Sequence, residues 1–264
     1  MDILQFDFMR NALVVGLLVS IACGMIGTYV VVKRIVFISG GISHTAYGGI
    51  GLGYYLGFNP MLGATAFTIA AALGMGLIQQ RSRQRDDTVI GVIWAVGMAL
   101  GIVMVKLSPG YAADLMSYLF GSILTVPVSD IILILLLDLL IISIVFKYFE
   151  EFKAIAFDEE FARVSGLKTE YYNLLLLVLV ALTVVVMIRA VGIILVIALL
   201  TIPAAIAGEF CKGLKSMMIL SVFLGIVFTT IGLYLSYLFD LPSGATIILV
   251  AAAGYFLTLL LSRQ

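Results

Sequence analysis

The sequence predicts an all-α, polytopic integral membrane protein of about nine transmembrane helices, and three observations predict it. Of the 264 residues, 63% are hydrophobic and only 11% charged. A soluble domain carries about a quarter charged residues, so this chain has too few to cover a water-facing surface. Apolar stretches of about 17 to 25 residues recur along it, the length that crosses the hydrocarbon core of a bilayer. The cations fall into the gaps between these stretches with a strong bias toward alternate gaps.

Divided at its polar breaks, the chain gives spans at about 11–32, 35–57, 60–80, 89–107, 131–147, 171–188, 191–210, 216–239 and 243–261. The first, Asn11 to Val32, is too long for a signal peptide. Its leader sets Asp2 and Asp7 against Arg10, and it ends in Lys33-Arg34 rather than at a cleavage site of small residues. The second holds the sequence's single histidine, His44. The third and fourth flank a loop of Arg81, Arg83 and Arg85. The stretch 111–127 fits poorly as a span, and its Leu115–Leu124 portion reads as a short interfacial or re-entrant helix. After the fifth span comes the longest inner loop, about 148–170, with room for one or two short helices. The seventh span contains Pro203, which removes a backbone bond and bends a helix. Between the eighth and ninth, Asp240-Leu-Pro-Ser-Gly244 is a compact turn, its Pro242 and Gly244 suited to a tight reversal.

With the N-terminus outside and the C-terminus inside, the inner side carries Lys33, Arg34, Arg81, Arg83, Arg85, Lys147, Lys153, Arg163, Lys168, Lys212, Lys215 and Arg263. The outer side carries Arg10, Lys106 and Arg189. Twelve against three is the positive-inside pattern, and a shift of one span destroys it. The whole of 1–264 thus reads as one transmembrane domain in the cytoplasmic (inner) membrane, with no soluble domain and no nucleic-acid partner. Cys23 and Cys211 lie far apart and form no paired motif, which argues against a disulfide or a zinc cluster. No G-x-x-x-x-G-K-[ST] occurs, so if the chain pumps, another protein hydrolyses the ATP.

Two segments carry chemistry. His44 lies about ten residues beyond the Lys33-Arg34 anchor, roughly 15 Å along a helix and near the bilayer centre. Its helical neighbours at three and four residues are Gly40, Gly41, Tyr47 and Gly48, with Gly51 one turn further, a face nearly bare of side chains. Gly40, Gly41, Gly48 and Gly49 suit close helix packing there. One reading is an interhelical hydrogen bond beside a small-residue packing seam. The other is a ligand for a passing ion, since imidazole suits zinc, manganese and iron. The inner loop contains Phe157-Asp158-Glu159-Glu160-Phe161-Ala162-Arg163-Val164-Ser165-Gly166. Its apolar stripe of Phe157, Phe161 and Val164 among charges suits a short amphipathic helix that stops at Gly166. That helix is either a solvated connector or a docking element for a cytoplasmic partner.

These segments together resemble the metal-ion permeases of ATP-binding-cassette transporters, over essentially the whole chain. The shared features are Ser43-His44 with Ala46 and the following glycines, Asp87-Thr88-Val89-Ile90-Gly91, Leu119-Phe120-Gly121-Ser122-Ile123-Leu124, the 157–166 loop, Pro203-Ala204-Ala205, and Leu241-Pro242-Ser243-Gly244-Ala245. The resemblance implies a homodimer, two copies of a cytoplasmic ATPase, and an external metal-binding protein that delivers the ion. It also implies that Phe157, Asp158, Glu159, Glu160, Phe161, Ala162, Arg163 and Gly166 belong to coupling helices seated in a groove of the ATPase. The chain is then a transport subunit rather than an enzyme. It has no permanently bound cofactor, and a divalent metal is its substrate, zinc first and manganese or ferrous iron next.

One position departs from the family. Its members resemble a pattern with an aspartate four residues before the histidine, and here that residue is Gly40. Asp138 in the fifth span, Glu209 near the inner end of the seventh and Asp240 at the outer mouth are the candidate helpers of His44 in the metal pathway. Three alternatives compete. A self-sufficient secondary carrier usually places several acidic or histidine ligands within its spans, and this chain has few. A permease for iron chelates has a longer chain and lacks the Ser43-His44 arrangement. An intramembrane metalloenzyme needs a cluster of ligands, and no H-E-x-x-H or comparable set occurs.

Overall fold

The computed structural model describes residues 6–81, 86–109 and 116–261, and among these the chain is helical with no strand. The helices are α1 (Asp7–Val32), α2 (Val36–Leu56), α3 (Pro60–Arg81), α4 (Asp86–Leu107), α5 (Met116–Phe120), α6 (Val128–Lys147), α7 (Phe149–Phe157), α8 (Glu159–Val164), α9 (Thr169–Phe210), α10 (Leu214–Phe239) and α11 (Ser243–Leu261). Arg83, Arg85, Arg263, Asp2 and the start of the 111–127 stretch lie outside the described residues.

Eight helical segments among the described residues are long and apolar enough to cross a bilayer. The chain is a multi-pass membrane protein. Helix α2, at 21 residues, matches them in length, but its glycines, serines and His44 make it less apolar. The exposed faces agree with a lipid environment. Val92, Val96 and Val103 of α4 and Leu133, Leu136 and Leu140 of α6 all stand at the surface. In water such apolar faces would be an aggregation hazard, whereas in hydrocarbon they are at home.

Contacts divide the chain into two compact units, one of residues 1–32, 117–147 and 186–264 and the other of 33–116 and 148–185. In the first, α1 packs against α6 and α10, and its glycines set how near its neighbours come. A Cβ on Gly24 would lie 2.7 Å from the Val222 nitrogen, and one on Gly27 would lie 3.1 Å from the Leu200 Cα. Ser20 Oγ and Thr229 Oγ1 then meet across α1 and α10 at 3.1 Å. In the second unit, α2 packs against both α3 and α4. A Cβ on Gly49 would lie 2.6 Å from the Ala64 nitrogen, and one on Gly51 would lie 2.7 Å from the Gly101 Cα. Lipid tails are as apolar as leucine, so van der Waals contact of this closeness is what favours helix on helix over helix on lipid.

Helix α9 spans 42 residues, about 63 Å at 1.5 Å each and twice the roughly 30 Å of hydrocarbon. The backbone leaves the helix at Gly192, with φ 78° and ψ 161°, near the start of the second of two apolar windows, Thr169–Ile188 and Ala190–Phe210. Pro203 lies within the second part of α9, and helical torsion angles run through it. Gly192 packs backbone to backbone on Gly121, which itself has φ 60° and closes α5. Gly244 adds a third approach, since a Cβ on it would stand 3.2 Å from the Phe120 carbonyl oxygen. That corrects its expected role. The residue with positive φ in the turn before α11 is Asp240, at 52°, and Gly244 sits inside the first turn of α11.

Candidate metal pathway and docking surface

His44 stands in the middle of α2, half-buried. Its ring stacks on the indole of Trp94 from α4, with centroids 4.2 Å apart and planes 10° from parallel. Trp94 is held in turn by its Nε1, which donates to Met98 Sδ at 3.1 Å. The imidazole plane is thus set by packing, while its Nδ1 is buried with no hydrogen-bond partner. An unmet buried nitrogen costs about 1–3 kcal/mol, which a ligand at that atom would relieve. The neighbouring hydroxyls are already engaged. Ser39, Ser43 and Thr45 each donate to a carbonyl of their own helix, at 2.8, 2.7 and 2.7 Å.

The glycines around His44 divide into two kinds. A Cβ on Gly41 would lie 2.7 Å from Ile90, one on Gly48 2.7 Å from Phe67, and Gly49 meets the backbone of α3. These three permit close packing. Gly40, expected to share that role, does not, because nothing stands within 4 Å of the place its Cβ would take. One turn before His44 and on the same face, Gly40 leaves open space beside the imidazole.

The other pathway candidates lie in the first unit. Asp138 on α6 is 2% exposed, and neither carboxylate oxygen has a hydrogen-bond partner. An unpaired carboxylate inside a membrane helix is energetically expensive. Cys23, free and buried on α1, is within its electrostatic reach and donates to Met187 Sδ at 3.7 Å. Glu209 is exposed at the penultimate position of α9. Asp240 is also exposed and serves as the left-handed cap of α10, where Ser236 Oγ donates to the Leu241 carbonyl at 2.6 Å. Neither is placed as a buried ligand. Among the described residues, no three His, Cys, Asp or Glu side chains gather into a metal cage.

The 148–170 loop folds as two short helices, within the one or two expected, because the chain turns at Asp158. That residue ends α7 and caps α8, its Oδ1 accepting from the Phe161 backbone N–H at 2.8 Å. Gly166, at φ 90°, closes α8 with two bonds, Leu167 N–H to the Ala162 carbonyl and Gly166 N–H to the Arg163 carbonyl, both at 3.0 Å. Buried Phe152 and Ile155 root α7, with Phe152 edge-on to Tyr172 of α9 at 6.2 Å. Ala162 is the buried residue of α8. On the outside stand Phe157, Phe161 and Val164, at 62, 70 and 86% exposure, among Glu160 and Arg163. Three large apolar side chains thus stand exposed among charges on a rooted helix pair.

Two contributors escape a reading of the sequence. Trp94 is fifty positions from His44 and reaches it only because α2 packs on α4. Lys33 looks like an ordinary flanking cation, yet its ammonium is turned into the α7–α8 pair.

Comparison with known proteins bears on the whole chain. Residues 5–262 match the model of the ABC 3 transport family. An uncharacterized membrane protein of Synechocystis sp. is 53% identical over 260 residues, covering 98% of this chain and 92% of the relative. The manganese transport system membrane protein MntC of Listeria monocytogenes is 36% identical, covering 99% and 93%. Among solved structures, PsaBC from Streptococcus pneumoniae in complex with Fab superposes with a TM-score of 0.86 at 31% identity, covering 97% of this chain and 92% of that one.

Proposed function

The chain belongs to the ABC 3 transport family, the permeases of metal-ion ABC transporters, and from that premise we propose that it imports a divalent metal ion across the cell membrane, energised by a separate ATPase. The observation that carries the reading is His44: an imidazole in mid-helix, oriented by Trp94, with an unpartnered buried nitrogen and open space at Gly40 beside it. In this reading His44 is a transient ligand and Gly41, Gly48 and Gly49 keep its helix packed. The carboxylate absent at position 40 leaves His44 as this helix's own donor to the ion. A second copy of the chain would bring a second imidazole. The relatives named for manganese favour manganese as cargo, ahead of the zinc that the sequence alone put first. Histidine and carboxylate ligands accommodate either ion.

The surface of Phe157, Phe161 and Val164, flanked by Asp158, Glu159, Glu160 and Arg163, is the seat of the ATPase, in two copies on a homodimer. An extracytoplasmic metal-binding protein delivers the ion. The test is uptake of Mn2+, Zn2+ and Fe2+ into proteoliposomes holding the permease with its ATPase, for the wild type and His44→Ala. ATP-dependent uptake that the variant loses supports the proposal. Uptake that ignores ATP would make the chain a self-sufficient carrier, and undiminished uptake by the variant would return His44 to packing.

A further inference from the structure

A run of short contacts ties the α7–α8 pair to the root of α2. Lys33 stands three residues before Val36, where α2 begins. Its side chain is only 12% exposed, and its Nζ donates to the Ile155 carbonyl in the last turn of α7 at 2.9 Å and to Glu159 Oε2 in the first turn of α8 at 3.2 Å. The other oxygen of Glu159 accepts from Asn173 Nδ2 of α9 at 2.7 Å and lies 3.7 Å from Arg163. All these residues belong to one compact unit.

The chemistry of the contacts suits the transmission of a displacement. The carbonyls at a helix C-terminus lack intrahelical partners and attract a cation, so the Lys33–Ile155 bond fixes the ammonium to the end of α7. The bond to Glu159 is charge-assisted, and its Lys33 end is largely withdrawn from water although Glu159 is 38% exposed. Between Lys33 and α2 the chain has no slack. Arg34 holds a left-handed φ of 58° and Ile35 is already the N-cap. The network also has room to rearrange. It borders a cavity of about 350 Å3 lined by Lys33, Gln79, Glu159, Arg163, Glu170 and Asn173 among others, and Asn173 keeps its Oδ1 buried without a partner.

We infer that Lys33 is a positioning residue that passes movement of the α7–α8 pair, through Ile155 and Glu159, to the root of α2 and so to His44. The inference rests on the reading of α7–α8 as the ATPase seat. It assigns α2, the helix with the imidazole, as the membrane helix that receives the movement.

Lys33→Met keeps the stem and removes the ammonium, and Lys33→Arg keeps a cation. Each is reconstituted with the cognate ATPase beside the wild type. The readouts are ATPase stoichiometry, Mn2+ and Zn2+ uptake per ATP hydrolysed, and amide hydrogen exchange over residues 36–39 with and without ATP. ATPase stoichiometry is expected to be equal in all three. ATP changes exchange at 36–39 in the wild type and Lys33→Arg but not in Lys33→Met. Transport per ATP falls about tenfold or more in Lys33→Met, as expected when a ligand is misplaced by a fraction of an ångström or more. Should Lys33→Met fail to reach the membrane, Lys33→Gln is scored by the same readouts. A Lys33→Met complex that answers ATP like the wild type overturns the inference. So does one that loses the ATPase itself, since Lys33 would then only shape the docking surface. If the wild type takes up no metal while ATP still alters exchange in a Lys33-dependent way, the transport reading falls and the transmission stands.

Discussion

Gly192→Ala should be among the most damaging single-methyl additions in the first unit. Gly192 combines φ 78° with ψ 161°, a region that is essentially glycine's own and costs another residue about 1–3 kcal/mol. The added Cβ would also stand 2.6 Å from the Leu119 carbonyl oxygen, within the turn that ends at Gly121. Backbone cannot rotate aside as a side chain can, so overpacking adds about another 1–3 kcal/mol. Gly57→Ala is the control. Gly57 also has a positive φ, 73°, but nothing lies within 4 Å of its missing Cβ. Its substitution carries only the left-handed penalty of about 1–2 kcal/mol. Both proteins are purified in the same detergent and their melting followed by light scattering and by size exclusion after heating. At 2–4 °C per kcal/mol for chains of this order of length, Gly192→Ala should melt about 5 °C or more below Gly57→Ala. Equal melting temperatures would refute the close crossing of Gly121 and Gly192.

Three further outcomes are expected. Phe161→Asp changes a side chain 70% exposed, so the permease should reach the membrane in normal amount. In a dry docking groove the new charge costs several kcal/mol, and the ATPase should no longer co-purify; normal stoichiometry would make the loop a connector. Gly40→Asp sets its Cβ in open space and places a carboxylate one turn from His44. Half-maximal Mn2+ uptake should shift to lower concentration, and an unchanged curve would show that this open space is not on the ion's path. In a cysteine-free background, cysteines at Asn59 and Lys153 should react with membrane-impermeant reagent from opposite sides, Asn59 outside. Labelling from one side would overturn the N-out, C-in assignment.

The membrane fold was legible in the sequence because hydrocarbon imposes one rule on every stretch that crosses it. A helix must satisfy its own backbone and clothe it in about twenty apolar residues, which composition and spacing display directly. Gly166 was legible as a helix stop for a similarly local reason, a left-handed cap that disfavours a side chain. The stripe of Phe157, Phe161 and Val164 could be seen in the order of residues, but not the turn at Asp158 that divides it between two helices, because a capping carboxylate and a carboxylate on a helix face read alike in a sequence. Which glycine packs and which stands open was decided by tertiary structure alone. Gly40 and Gly41 are adjacent and chemically identical, yet only Gly41 has Ile90 against it. Trp94 under His44 and Lys33 under α7 are of the same kind. Each depends on which helix lies alongside another, and that follows from the fit of whole helix surfaces rather than from the local pattern of either one.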